Sequence, residues 1–205
     1  MSEPLALLTA VLSCDGEIPS PVAAAERLMT HFASVREMAH ASREEMRVIG
    51  GLSERQVAAL ASSLELGVEA CSAPLRPGER FTDSRDIYLR YRARFFAADR
   101  ERFFSLHLNA RNQLIREVTV AIGSLSGAVI HPREVFAPAV RDSAAALIFL
   151  HNHPSGDPKP SAQDLDCTRR LVQAGGLLGI RVLDHIVLGH DDYYSFADAG
   201  ALLVA

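Results

Sequence analysis

The most chemically loaded stretch of the chain is His151-Asn152-His153-Pro154-Ser155-Gly156-Asp157-Pro158-Lys159-Pro160-Ser161-Ala162-Gln163-Asp164. On a β-strand, residues i and i+2 point to the same face, so two imidazoles spaced like His151 and His153 converge on one point. Three prolines and a glycine follow and force the chain to turn sharply before a helix opens at Ser161. Asp164 falls in the first turn of that helix, facing back toward the strand end. Two imidazole nitrogens and one carboxylate oxygen leave one position of a tetrahedral zinc site open, which a catalytic site requires and a structural site lacks. Zinc held there would lower the pKa of water toward ~7 and polarise a carbonyl. Singly, the residues have simpler readings: Ser161 with Asp164 is also a capping box, His153 an ordinary loop histidine, Asp157 an Asx-turn residue. The combination at fixed offsets points to a metal.

The flanking sequence must supply the scaffold. Ala144 to Leu150 is a short apolar run that predicts a buried strand ending at the histidines. Residues 161–174 read as a helix, with Gly175-Gly176 ending it, and Ile180 to Leu188 as a further strand. Upstream, Thr82-Asp83-Ser84 opens a helix to about Ala98. Strands 103–108 and 114–122 follow, joined by an Asn109–Asn112 turn, then a loop over 123–127 and a helix from Pro132 to Val140. Tyr193 to Phe196 makes a last short strand. The expected class is α/β, a mixed sheet flanked by helices.

Before this region everything reads helical. Leu5, Leu8, Val11 and Leu12 space as one helix face. Pro21 after Ser20 opens a helix through Phe32, Ser42 to Glu45 fits a capping box, and Ser53 starts a long helix to Gly67. The expected organisation is a small helical domain over 1–72, a Pro- and Gly-punctuated linker over 73–81, and the α/β domain over 82–205.

Composition excludes several classes. With 205 residues, 48% hydrophobic, 22% charged and a formal net charge of −4, the chain is not expected to be disordered, and since no run approaches ~18 apolar residues no transmembrane helix is expected. Cys14, Cys71 and Cys167 form neither a disulfide framework nor a CxxC knuckle. An acid near the N-terminus, in Met1-Ser2-Glu3-Pro4, is unlike a secretory signal, so a cytoplasmic location is expected. The first 72 residues hold five arginines against ten carboxylates, an acidic balance ill-suited to phosphate neutralisation. The arginines at 76, 80, 85, 90, 92, 94, 100 and 102 are interleaved with acids and read as a solvated, paired face.

The run fits HxH-x7-SxxD, and HNHPSGDPKPS resembles the RadC family of JAMM (MPN+) metalloprotease-like proteins. The resemblance implies a fold akin to JAMM domains and cytidine deaminases, one Zn2+ per chain, and hydrolysis of amide or isopeptide bonds in a protein or peptide. By the same resemblance His151, His153 and Asp164 are the metal ligands, and Ser161 hydrogen-bonds the oxyanion. An upstream glutamate is the general base. Glu101, between the predicted helix and strand 103–108, fits that place, with Glu117 and Glu134 as competitors. His185 and Asp157 either brace the ligands from behind or serve the sheet and the turn. His107 alternates within a strand, His131 marks a strand-to-helix junction, and His190-Asp191-Asp192 reads as a solvated turn. His31 and His40 read as surface residues.

The resemblance also implies a helix-hairpin-helix in the first domain and an association with DNA repair. Here the hairpin reads Gly50-Gly51-Leu52, with Leu52 at the second glycine and Glu54 beyond it. Backbone N–H groups in such a turn would meet phosphates, so this sequence predicts weak DNA binding. The alternatives to a hydrolase are a DNA-associated accessory module and a metal-binding scaffold without turnover.

Overall fold

A computed structural model describes residues 2–13, 20–71, 75–95, 98, 100–123 and 130–202. Cys14, residues 73 and 74, and the expected loop from 124 to 127 lie outside the described residues. The chain divides into two compact units, Met1–Ser72 and Ala73–Ala205.

The first unit contains α1 (Glu3–Leu12), α2 (Pro21–His31), α3 (Val35–His40), α4 (Arg43–Gly50) and α5 (Glu54–Cys71). Its core gathers Leu8, Leu12, Leu28, Met38 and Leu60. α3, six residues long, is too short to show apolar periodicity. The Ser34 hydroxyl accepts the Glu37 N–H as an N-cap, and the Glu37 carboxylate accepts the N–H of the preceding Ala33 at 2.7 Å. α5 runs past Gly67, the predicted end. One glycine inside a helix costs only ~1 kcal/mol and does not stop it.

The second unit holds a five-stranded mixed sheet in the order β2-β1-β3-β4-β5. The strands are β1 (Arg102–Leu108), β2 (Leu114–Ile122), β3 (Ala146–Asn152), β4 (Arg181–Leu188) and β5 (Tyr193–Ser195). Only β3 and β4 are parallel, and the crossover between them is α8 (Ala162–Leu178). Side chains alternate between two layers. Phe104, Leu106, Ile148 and Leu150 pack with α6 (Ser84–Tyr91) on one face. Phe103, Leu147 and Phe149 pack with α7 (Pro132–Arg141) and α8 on the other. Residues of the expected linker also join this unit: the Leu114 N–H donates to the Glu79 carbonyl, and Leu75 and Phe81 pack on the first layer.

Two helix ends differ from the sequence expectation. α6 stops at Tyr91 rather than near Ala98. Beyond it Arg94 reaches Glu117 and Phe95 packs edge-on against Phe104, inward positions on the same layer. α8 passes through Gly175-Gly176 and ends at Gly179, whose φ of +70° is the left-handed C-cap conformation. Gly175 serves packing instead, since a Cβ there would lie 2.5 Å from the Ile180 carbonyl oxygen.

Candidate metal centre

β3 is buried along its whole length, and His151 is on the face it shares with Leu147 and Phe149. The chain leaves the sheet at His153, whose N–H donates to the Leu188 carbonyl at the end of β4. The ensuing turn lies against the loop after β4: a Cβ on Gly189 would meet the Gly156 carbonyl at 2.4 Å. The site is thus at the carboxyl ends of the parallel pair, where open α/β sheets gather ligands.

α8 starts here with a full capping box. The Asp164 N–H donates to Ser161 Oγ at 3.2 Å, and the Ser161 N–H donates to Asp164 Oδ2 at 2.7 Å. That holds the Asp164 carboxylate over the strand end. His151 Nε2 lies 3.0 Å from His153 Nε2 and 3.2 Å from Asp164 Oδ1, and His153 Nε2 lies 3.4 Å from Asp164 Oδ2. One ligand atom from each of the three lies within 4.8 Å of the others. Two imidazoles and a carboxylate with converging donor atoms form a group that could hold a divalent metal ion. Burial pushes the Asp164 carboxyl up, but hydrogen bonding with His151, His153 and Ser161 outweighs it and holds the group well below the usual carboxylate range. Burial lowers His151, which favours the neutral ring a metal needs. Hydrogen bonding to Asp164 prevails over burial at His153 and raises it.

Glu101 comes to the same place by strand pairing. Phe103 pairs with His151 in the antiparallel β1–β3 ladder, and Glu101 immediately precedes β1. Asn152, between the two histidines and buried, fixes this approach. Its Oδ1 accepts the Arg102 N–H at 2.8 Å and its Nδ2 donates to the Arg100 carbonyl at 3.1 Å, one bond on each side of Glu101. The Glu101 charge acts on both His151 and His153. Asn152 carried no signal in the sequence beyond its place inside the His-x-His pair.

A family model described as a RadC-like JAB domain matches residues 81–201. A UPF0758 protein of Syntrophotalea carbinolica is 46% identical over 175 residues, covering 85% of this chain and 77% of that protein. One from Trichlorobacter lovleyi is 44% identical over 177 residues, 86% of this chain and 77% of its own length. One from Geobacillus kaustophilus is 37% identical over 196 residues, 95% of this chain and 86% of its own. The chain belongs to the RadC-like JAB domain family.

Within the RadC-like JAB domain, the competing glutamates lie elsewhere. Glu117 pairs with Leu106 on the opposite face of the sheet, where Arg94 grips it with two hydrogen bonds of 2.6 and 2.8 Å and Tyr91 donates to it. Glu134 is exposed in the first turn of α7 and lies 3.6 Å from Arg133. Asp157 reaches the site through its main chain: His153 Nδ1 is 2.7 Å from its carbonyl oxygen, while its carboxylate accepts the Lys159 N–H in an Asx turn. His185 stands directly behind His151, Nε2 to Nδ1 at 2.8 Å, and is wholly buried. His190 departs from the expected solvated turn. Its ring is half-buried against Gly156 and 3.2 Å from the Pro154 carbonyl, so it props the ligand loop. His107 is wholly buried with Nδ1 2.5 Å from Asp142, and His131 caps α7 by accepting the Arg133 N–H.

In the first unit of this RadC-like chain, α4 and α5 form the hairpin. Gly51 takes φ +61°, and Arg27 donates to the carbonyls of Ile49 and Gly50. Leu52 is buried in the helical core and leans on Gly50, so close approach at the second position of the turn is closed off by a side chain. Among the described residues, no helix is long and apolar enough to cross a membrane.

Proposed function

We propose that this RadC-like JAB domain is a zinc-dependent hydrolase of amide or isopeptide bonds in a protein or peptide. The observation that carries the reading is the convergence of His151, His153 and Asp164 on one point beside Glu101. Bound there, Zn2+ would supply a Lewis acid that polarises a carbonyl oxygen and makes water a nucleophile near neutral pH. The Glu101 carboxylate takes a proton from the attacking water as its oxygen bonds to the carbonyl carbon, and returns that proton to the leaving nitrogen as the tetrahedral intermediate collapses and the amide C–N bond breaks. The Ser161 hydroxyl donates to Asp164 Oδ2 at 2.6 Å in the resting site. Redirected, that single proton meets the oxyanion, while Oδ2 keeps the Ser161 N–H and Ser161 Oγ keeps the Asp164 N–H as a cap.

Two measurements separate this reading from a metal-binding scaffold. Zinc content after purification without chelator should be about one per chain, and His151→Ala should abolish it. Turnover of a panel of amide- and isopeptide-linked peptides should then require both zinc and Glu101. Zinc uptake with no turnover across the panel, unchanged by Glu101→Ala, favours the scaffold.

A further inference from the structure

His151 can serve as a ligand through Nε2 only if its proton sits on Nδ1; Nε2 faces His153 Nε2 at 3.0 Å and Asp164 Oδ1 at 3.2 Å in front, and the hydrogen bonds behind the ring bear on whether Nδ1 keeps the proton. The Asp164 main-chain carbonyl has no proton to give, so its 2.6 Å contact with Thr168 Oγ1 uses the one hydroxyl proton of Thr168. Thr168 Oγ1 is then an acceptor in its other contact, 2.6 Å from His185 Nδ1. His185 therefore carries a proton on Nδ1. Its ring is enclosed by Phe103, Phe149 and Phe196, and its ring-nitrogen partners are Thr168 and His151, neither of them a carboxylate, which leaves it neutral with a lone pair on Nε2. That lone pair faces His151 Nδ1 at 2.8 Å, so it offers His151 an acceptor there when Nε2 is given to a cation. His153 reaches the same state by a shorter route, through Nδ1–H to the Asp157 carbonyl.

We infer that Thr168 and His185 form a relay that fixes the tautomer of His151, and that both are positioning residues for the metal. The inference rests on the reading of His151, His153 and Asp164 as ligands. It gives the first two turns of α8 two jobs: the Asp164 carboxylate faces the ion, and the Asp164 carbonyl, through Thr168 and His185, turns a lone pair of His151 toward that ion. A proton on His151 Nε2 would instead fill the metal's place. The usual acceptor behind a histidine ligand is a carboxylate, carbonyl or water. Here it is a second imidazole, held as an acceptor by a threonine one helical turn from a ligand.

The test uses the full chain, 15N-labelled and metal-free, with long-range 1H–15N correlation to read each ring's tautomer and zinc titration to read affinity. The metal-free wild-type protein should show the Nδ1–H tautomer at His185, and the zinc-loaded protein Nδ1–H tautomers at His151, His153 and His185. Thr168→Val removes the acceptor for His185, so His185 should lose its single tautomer, and zinc affinity should fall by roughly 10- to 100-fold. Thr168→Ser keeps the hydroxyl and should restore both. An Nε2–H tautomer of His185 in metal-free wild type that still takes up zinc on titration overturns the relay alone. So does a Thr168→Val protein that keeps both the tautomer and the affinity. A wild-type protein that takes up no zinc overturns the ligand reading and the positioning role with it. The wild-type spectrum needs no variant, so the inference stays testable should Thr168→Val fail to fold.

Discussion

Two helix starts, one in each unit, use the same local device to different ends. At Ser53, the N–H donates to Gln56 Oε1 at 2.9 Å and the Gln56 N–H donates back to Ser53 Oγ at 3.3 Å. At Ser161, the N–H donates to Asp164 Oδ2 and the Asp164 N–H donates back. Both third residues are buried, at 2% and 6% exposure, so burial alone does not separate a cap from a site. What separates them is the remaining valence. The Gln56 amide nitrogen donates to the Leu12 carbonyl at 3.4 Å, and the fold absorbs it. Asp164 has a second oxygen facing His151 and a negative charge with no Lys or Arg paired to it among the described residues. A capping box whose acid is left facing two imidazoles is a place for a cation.

The largest effect should come from breaking that difference. Asp164→Ala and His151→Ala should each take zinc from about one per chain to none, measured by metal analysis after gel filtration. Gln56→Ala should leave zinc content unchanged and lower stability by ~1–3 kcal/mol through an orphaned buried group, read in urea unfolding. Glu101 comes next. Glu101→Ala should keep zinc and fold while the hydrolytic rate falls ~10²–10⁴-fold. Glu117→Ala should leave zinc and rate in place and reduce stability, because it strands Arg94 and Tyr91.

The candidate group His151, His153 and Asp164 was legible in the sequence because it lies in one contiguous stretch whose strand, turn and helix are each locally specified. Glu101 was legible only as a place in the element order; its route to the site runs through the β1–β3 register and Asn152, which periodicity does not report. Thr168 was invisible for a related reason. Its spacing from Asp164 is one helical turn, but its value depends on His185 arriving from β4, and no local rule sets that register. The misread features have the same origin. Gly175-Gly176 looked like a terminator because glycine usually ends helices, whereas tertiary contact with the Ile180 carbonyl demands it within one. His190 looked like a surface turn because the loop that covers it is 36 residues away in the chain.

Smaller effects follow from buried charge. His107, His151 and His185 are wholly buried, and burial holds all three below the ordinary histidine value of 6.5. The unfolded chain takes up protons that the folded chain refuses, so stability of the metal-free protein should fall as pH drops below about 6.5. His153 acts with the opposite sign: its raised folded value adds stability that is present below 6.5 and lost as pH rises through it. Three groups against one give a net loss in acid, read as a falling melting temperature between neutral pH and about pH 5. Ser53→Ala and Ser161→Ala should each cost ~1 kcal/mol as lost caps. Only the second should also reduce turnover. In the hairpin, buried Leu52 and the acidic balance of the first unit predict no measurable salt-dependent binding of duplex DNA at physiological ionic strength.

The central claim, a metal centre built from β3 and the start of α8, is tested most directly by crystals grown with zinc and measured at the zinc absorption edge. The account predicts one anomalous peak per chain in contact with Nε2 of His151, Nε2 of His153 and the Asp164 carboxylate, with the Glu101 carboxylate turned toward it. No peak at that point in zinc-saturated crystals, or a peak held through His151 Nδ1, would contradict it.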